Sequence, residues 1–164
     1  MERRISGRTA SNGLAIGPAT ILRALDGASR SKGSIAEEHA VLATAVARAR
    51  EAIAELIGRL AGDAAELIGF QLALLEDDAL TETAYAQIER GVAADIAWRA
   101  AMVEEIAGYE TADDEYFRAR ASDLADIRDR VLRHLFGIAD DCQLPDGAIV
   151  VARDLAPSAF LGID

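Results

Sequence analysis

The side chains able to do covalent or metal chemistry are few: His39, His134 and the single Cys142. The two histidines stand far apart, with no His or Cys at ligand spacing beside either, which argues against a metal site. His39 falls inside one expected helix. His134 falls in the last turn of another, where a cation suits the helix dipole, so a structural role suffices for both. Cys142 follows Asp140 and Asp141, whose carboxylates raise a thiol pKa and disfavour a nucleophile. There is no Walker-type phosphate loop. Gly13 and Gly17 read as turn glycines and Trp98 as core. On its residues the chain is assigned no catalytic group, no metal and no bound cofactor.

Two clusters are better suited to binding. One is Leu74-Leu75-Glu76-Asp77-Asp78 with Leu80; the other is Asp113-Asp114-Glu115-Tyr116-Phe117 with Arg120. Acids at helix starts and core leucines explain much of both. The sharper reading is a helical docking groove with an apolar centre and a charged rim.

The elements that must position these clusters follow from pattern. Residues 1 to 24 are punctuated by Gly7, Asn12, Gly13, Gly17 and Pro18, with Ile5, Leu14, Ile16 and Ile21 spaced like short strands. Asp26 to Gly33 is a polar linker. Ser34 and Glu37 form a capping box, opening a helix with a buried stripe of Leu42, Val46, Ala49, Ile53, Leu56 and Leu60 that ends near Gly62. A helix from Asp63 carries Leu67, Ile68, Leu72 and Leu75. At LLEDD, Asp77 or Asp78 caps a fresh helix carrying Leu80, Ala84, Tyr85 and Ile88 to Gly91.

A further helix spans Ala94 to Tyr109 with Ile96, Val103 and Ile106 inward. The last, from Asp113 to Gly137, places Phe117, Ala121, Leu124, Ile127, Val131 and Leu135 on one face. On its wet face the spacing pairs Asp126 with Arg130 and Asp129 with Arg133, and Gly137 is suited to a left-handed cap. Residues 34 to 136 therefore make two antiparallel helical hairpins. After the turn Leu144-Pro145-Asp146-Gly147, Ala148–Ala152 reads as a buried strand, and a helix can begin after Pro157. Mainly α, with strand-like ends at 1–24 and 145–164, the chain reads as an α/β module with the bundle inserted.

A chain of 164 residues with 51% hydrophobic and only 5% aromatic residues is suited to packed helices. The formal charge of −11 argues against nucleic acid and favours a basic partner. One cysteine permits no internal disulfide. No secretion signal or membrane-length apolar run is seen, so a cytoplasmic protein is expected.

Four segments fall in the order and spacing of one family: SNGLAIGPA (11–19), LLEDDAL (74–80), DDEYFRARASDLADIRDRVLRHLFG (113–137) and AIVVARDLAPS (148–158). The chain resembles the N-terminal region of enzyme I, the phosphoenolpyruvate–protein phosphotransferase of the bacterial sugar phosphotransferase system. The resemblance implies an α/β swivelling phosphohistidine domain, incomplete here, interrupted by a helical subdomain that docks the carrier HPr. It places Leu74, Leu80 and Phe117 at apolar HPr-contact positions, Asp78 at an acidic one and Arg120 at a polar one.

Gln71 stands where well-known members carry a histidine near the phosphoacceptor, and Ala73 where they carry a bulky methionine. The family's phosphoacceptor lies in a GGxTSH motif beyond Asp164. Its magnesium and phosphoenolpyruvate sit on a C-terminal barrel through which full-length members dimerise. This chain by itself is therefore expected neither to autophosphorylate nor to hold magnesium. The alternative is a stand-alone, non-enzymatic helical module that binds HPr or a similar carrier.

Overall fold

The structure, a computed structural model, describes residues 11–22, 25, 30–138, 144–152 and 155–161. Ile5 and Cys142 lie outside the described residues. The elements are β1 (Ala19–Leu22), α1 (Ile35–Arg59), α2 (Asp63–Glu76), α3 (Ala79–Glu89), α4 (Ala94–Glu110), α5 (Glu115–Leu135), β2 (Ile149–Ala152) and α6 (Pro157–Leu161).

Local chemistry accounts for most helix ends. Glu37 N–H donates to Ser34 Oγ at 3.3 Å and Ser34 N–H to Glu37 Oε2 at 2.7 Å, completing the expected capping box of α1. At the break between α2 and α3 the cap is Asp77, whose Oδ1 accepts from Ala79 N–H at 3.0 Å. Arg50 of α1 covers the carbonyl side of the break, donating Nε to Leu75 O at 2.8 Å. Helix α5 ends as expected at Gly137, φ +67°. Ile138 N–H reaches Arg133 O at 2.8 Å and Gly137 N–H reaches His134 O at 3.1 Å, the two bonds of a Schellman motif.

The helices close into a ring: α1 packs on α2 and α5, α4 on α3 and α5, with α2 and α3 together acting as one broken arm. Hairpins α1–α2 and α4–α5 are thus the two halves of the bundle. Leu42, Ile53, Ile68, Leu75, Ile88, Trp98, Met102 and Leu124 are fully buried at its centre.

Three expectations about helix faces are corrected. Ile96 and Val103 of α4 point outward, 56% and 57% exposed. The buried side is Ala94, Asp95, Ala97, Trp98, Ala101, Met102 and, as expected, Ile106. Trp98 and Met102 fill the centre while the small alanines between them let α3 and α5 approach, and this stripe turns positions 96 and 103 away. On α5, Asp126 and Arg130 are buried rather than on a wet face. That helix contacts α1, α2, α4 and α6, so more than one stripe of it is covered. Phe117, placed on the apolar stripe by spacing, lies beyond the covered length and is exposed.

Strands β1 and β2 pair in parallel, Ala19 opposite Ile149 through Leu22 opposite Ala152, so the helical block lies between two paired strands. Leu14 and Ile16 are fully exposed and outside any strand, and β2 is half-buried, with Val151 exposed. Gly17 is needed where it stands, because a Cβ there would overlap the carbonyl oxygen of Gly147. Among the described residues no helix is long and apolar enough to cross a membrane.

Candidate docking surface

The start of α5 and the outer face of α2 meet in one cluster. Arg120 stands one turn beyond Tyr116 on α5 and packs its guanidinium carbon 4.7 Å from the Tyr116 ring centroid. The same carbon lies 4.5 Å from the ring centroid of Phe70 of α2. Arg120 Nη1 donates to Asp123 Oδ2 at 3.0 Å and Nη2 to the Tyr116 hydroxyl at 3.0 Å. The bond to Asp123 outweighs burial, and with the Tyr116 contact it raises the guanidinium pKa above its ordinary value.

Phe117 is 48% exposed and Tyr116 55%. Their rings meet edge to face at 5.8 Å, with Tyr109 tilted against Phe117 at 6.0 Å. Asp114 caps the helix here by accepting from Tyr116 N–H at 2.8 Å.

Leu74 follows Phe70 by four residues and so shares its face of α2. Leu74 and Leu80 are each half-buried and packed against the core. Asp78 is exposed at the first position before α3 and makes no side-chain cap. The structure therefore joins Phe117 and Arg120 through Tyr116, and sets Leu74 along the same α2 face as Phe70. Asp78 is not joined to Arg120; the ion-pair partner of Arg120 is Asp123.

Behind this surface runs a buried polar chain. Gln71 Nε2 donates to Asp126 Oδ2 at 3.1 Å and, at a longer 3.4 Å, to Asp123 Oδ1. Asp126 Oδ2 also accepts from Ser158 N–H of α6 at 3.1 Å, and Arg130 Nη2 donates to Ser158 Oγ at 2.7 Å. Gln71, Asp123, Asp126, Arg130 and Ser158 are all buried. Sequence reading singled out Gln71 only as a departure from a family, and missed Phe70, Asp123 and Ser158. The spacings Tyr116–Arg120 (i, i+4) and Arg120–Asp123 (i, i+3) were the available signal for part of it.

Replacing Gln71 with Leu leaves two buried carboxylates short of a donor. It is expected to cost about 1–3 kcal/mol, lowering the midpoint of thermal unfolding by roughly 2–4 °C per kcal/mol. An unchanged midpoint would show that the Gln71 bonds carry no stability.

The histidines have structural settings. His39 stacks on Tyr85 of α3 at 4.9 Å, with Nε2 2.8 Å from Glu89 Oε1. His134 is half-buried in the last turn of α5. Among the described residues no group of three or more His, Cys, Asp or Glu is placed to hold a metal.

A bundle inserted between two paired parallel strands has a counterpart among known proteins. The family described as PEP-utilising enzyme, N-terminal, matches residues 6–120, and the chain belongs to it. Within that family the match is to the N-terminal region of enzyme I. The chain is 32% identical over 166 residues to the phosphoenolpyruvate-protein phosphotransferase of Geobacillus stearothermophilus and 29% identical to that of Bacillus subtilis (strain 168). The alignments cover 96% and 95% of the chain and 29% of each relative, so it spans less than a third of their length.

A solution structure of Enzyme I (nEIt) superposes with a TM-score of 0.74 at 28% identity, over 93% of this chain and 66% of that one. The N-terminal domain of Enzyme 1 - Nitrogen shares the fold, with a TM-score of 0.71 at 22% identity over 90% of this chain and 64% of that one.

Proposed function

We propose that the α5 start and the α2 face form the docking surface for an HPr-type phosphocarrier, within an enzyme I-type phosphoenolpyruvate–protein phosphotransferase of the sugar phosphotransferase kind. The observation that carries this reading is the exposed aromatic pair Tyr116–Phe117 beside acidic residues, on a fold shared with enzyme I. Asp113, Asp114 and Glu115 at the start of α5, and Glu76, Asp77 and Asp78 at the α2–α3 break, are all exposed. An apolar centre with an acidic rim suits a carrier whose apolar patch is ringed by basic residues. Leu74, Leu80, Asp78, Phe117 and Arg120 are the residues proposed for the contact. The phosphoacceptor role is not given to His39 or His134.

Titrating the chain into isotope-labelled HPr-type carrier is expected to shift resonances around the carrier's active-site histidine. Salt weakens the effect by screening the rim charges. Leu74→Asp combined with Arg120→Glu is expected to abolish it. Full binding by that double variant would place the contact elsewhere, and no binding by the unaltered chain would overturn the reading.

A further inference from the structure

We propose that Arg50 of α1 is a positioning residue for the docking surface: it locks the break between α2 and α3, so that Leu74 before the break and Leu80 after it are presented together to the carrier. This rests on the docking reading above. In an unbroken helix Ala79 N–H would donate to the carbonyl of Leu75, four residues back. Here Ala79 N–H donates instead to Asp77 Oδ1 at 3.0 Å. The Leu75 carbonyl is thereby released, and among the described residues no backbone N–H reaches it. Arg50 takes it up, donating from Nε at 2.8 Å and from Nη2 as well. Leu75 is wholly inaccessible, so bulk water does not reach that carbonyl, and a buried acceptor without a donor is costly.

Charge points the same way. Carbonyls gather negative partial charge at the end of a helix, where cations are favoured. The last turn of α2 has no basic residue, and Glu76, Asp77 and Asp78 place three exposed acids there. Arg50 brings the compensating cation from α1, 25 residues away in sequence. Its charge is also felt at α3: burial pushes the Tyr85 hydroxyl pKa up, and Arg50 acts to lower it. One side chain therefore stands at the joint of three helices. The break in turn decides what a partner meets. A continuous helix would set Leu80 roughly 240° round the axis from Leu74, on a different face. Ending α2 at Glu76 and restarting at Ala79 frees α3 from that phase. A break that flexes would have to be ordered when the carrier docks, which lowers affinity. Arg50 fixes it beforehand, from the α1 side.

The test compares the unaltered full chain with Arg50→Met and Arg50→Lys. Affinity for HPr-type carrier is measured by titration, and amide hydrogen exchange of residues 77–80 is measured in the free chain. Methionine keeps an apolar stem and offers no donor, whereas lysine keeps the charge without the planar fork. Arg50→Met is expected to weaken carrier binding about tenfold and Arg50→Lys about threefold. Exchange at residues 77–80 should quicken in the same order. Trp98→Phe, a packing change on α4, should keep full affinity while losing stability, which separates the lock from general destabilisation.

Full affinity in either Arg50 variant overturns the assignment, and should Arg50→Met not fold, Arg50→Lys alone decides. Weakened binding with unchanged exchange at residues 77–80 would show a direct contact with the carrier and overturn it too. So would a loss of affinity in Trp98→Phe equal to that in Arg50→Met. If the unaltered chain does not bind, the docking reading falls and this role with it. If it binds and only the Arg50 variants behave otherwise, this role alone falls.

Discussion

Trp98→Ala is expected to destabilise the protein by about 3–5 kcal/mol, among the largest effects available to a single substitution in this bundle. Trp98 is fully buried on α4, and its Nε1–H donates to the carbonyl of Arg128 on α5 at 3.1 Å. The interface between α4 and α5 is the most extensive of the helix pairs, and Trp98 is its largest side chain. Truncation removes the packed ring, leaves a cavity among alanines that cannot fill it, and takes a second donor from a helical carbonyl. For a chain of this size the thermal midpoint should fall by roughly 10 °C or more, read by circular dichroism. Trp98→Phe keeps most of the volume and should lose clearly less. Equal losses for the two would mean that the hydrogen bond, and not the packing, dominates at this site.

Glu38→Ala is expected to cost about 3 kcal/mol, from the loss of charge-assisted bonds to buried donors. Glu38 is inaccessible, in the first turn of α1. Its Oε1 accepts from Gly33 N–H at 2.6 Å and its Oε2 from Ala94 N–H at 2.7 Å, and it pairs with Arg30. Ala94 begins α4, whose own cap position, Ala93, has no side-chain acceptor. One carboxylate of α1 therefore caps another helix.

Burial pushes the Glu38 carboxyl up. The backbone donors of Ala94 and Gly33, with Arg30, outweigh it and hold the pKa below its ordinary 4.5. Because the folded value is the depressed one, the unfolded chain binds the proton more readily in acid. The stabilisation is complete above the unfolded value and is lost as pH falls through the folded one. Glu37, lowered by its bonds to Ser34, acts in the same direction. Urea unfolding from pH 7 down to pH 3 should show the gap between the unaltered protein and Glu38→Ala narrowing on the acid side. A gap constant across that range would remove Glu38 as a source of acid sensitivity.

Much of this protein was legible in residue order, because its helices are set by local chemistry. The capping box at Ser34–Glu37, the break at LLEDD and the glycine stop at Gly137 depend on atoms within a few residues of one another. The apolar stripe of α1 and the family resemblance of its segments needed no third dimension. Periodicity failed where a helix has several neighbours or a covered stripe of unusual composition. On α4, alanines and Trp98 displaced Ile96 and Val103, and on α5 a second covered face took in Asp126 and Arg130.

The aromatic corner at the start of α5 divides in the same way. Tyr116, Phe117 and Arg120 belong to one helical turn, and their spacing announces them. What Arg120 packs against depends on Phe70, from another helix, and on Asp123, itself approached by Gln71. Glu38 is the same case in the first turn of α1, an acid whose reason for being there lies 56 residues away at Ala94. The sequence by itself determined the helices, most of their ends and the family, since those follow from short-range hydrogen bonding and residue type. Only the tertiary structure decided which charges are buried and which side chains stay exposed, because burial and pairing are properties of the helices that pack together.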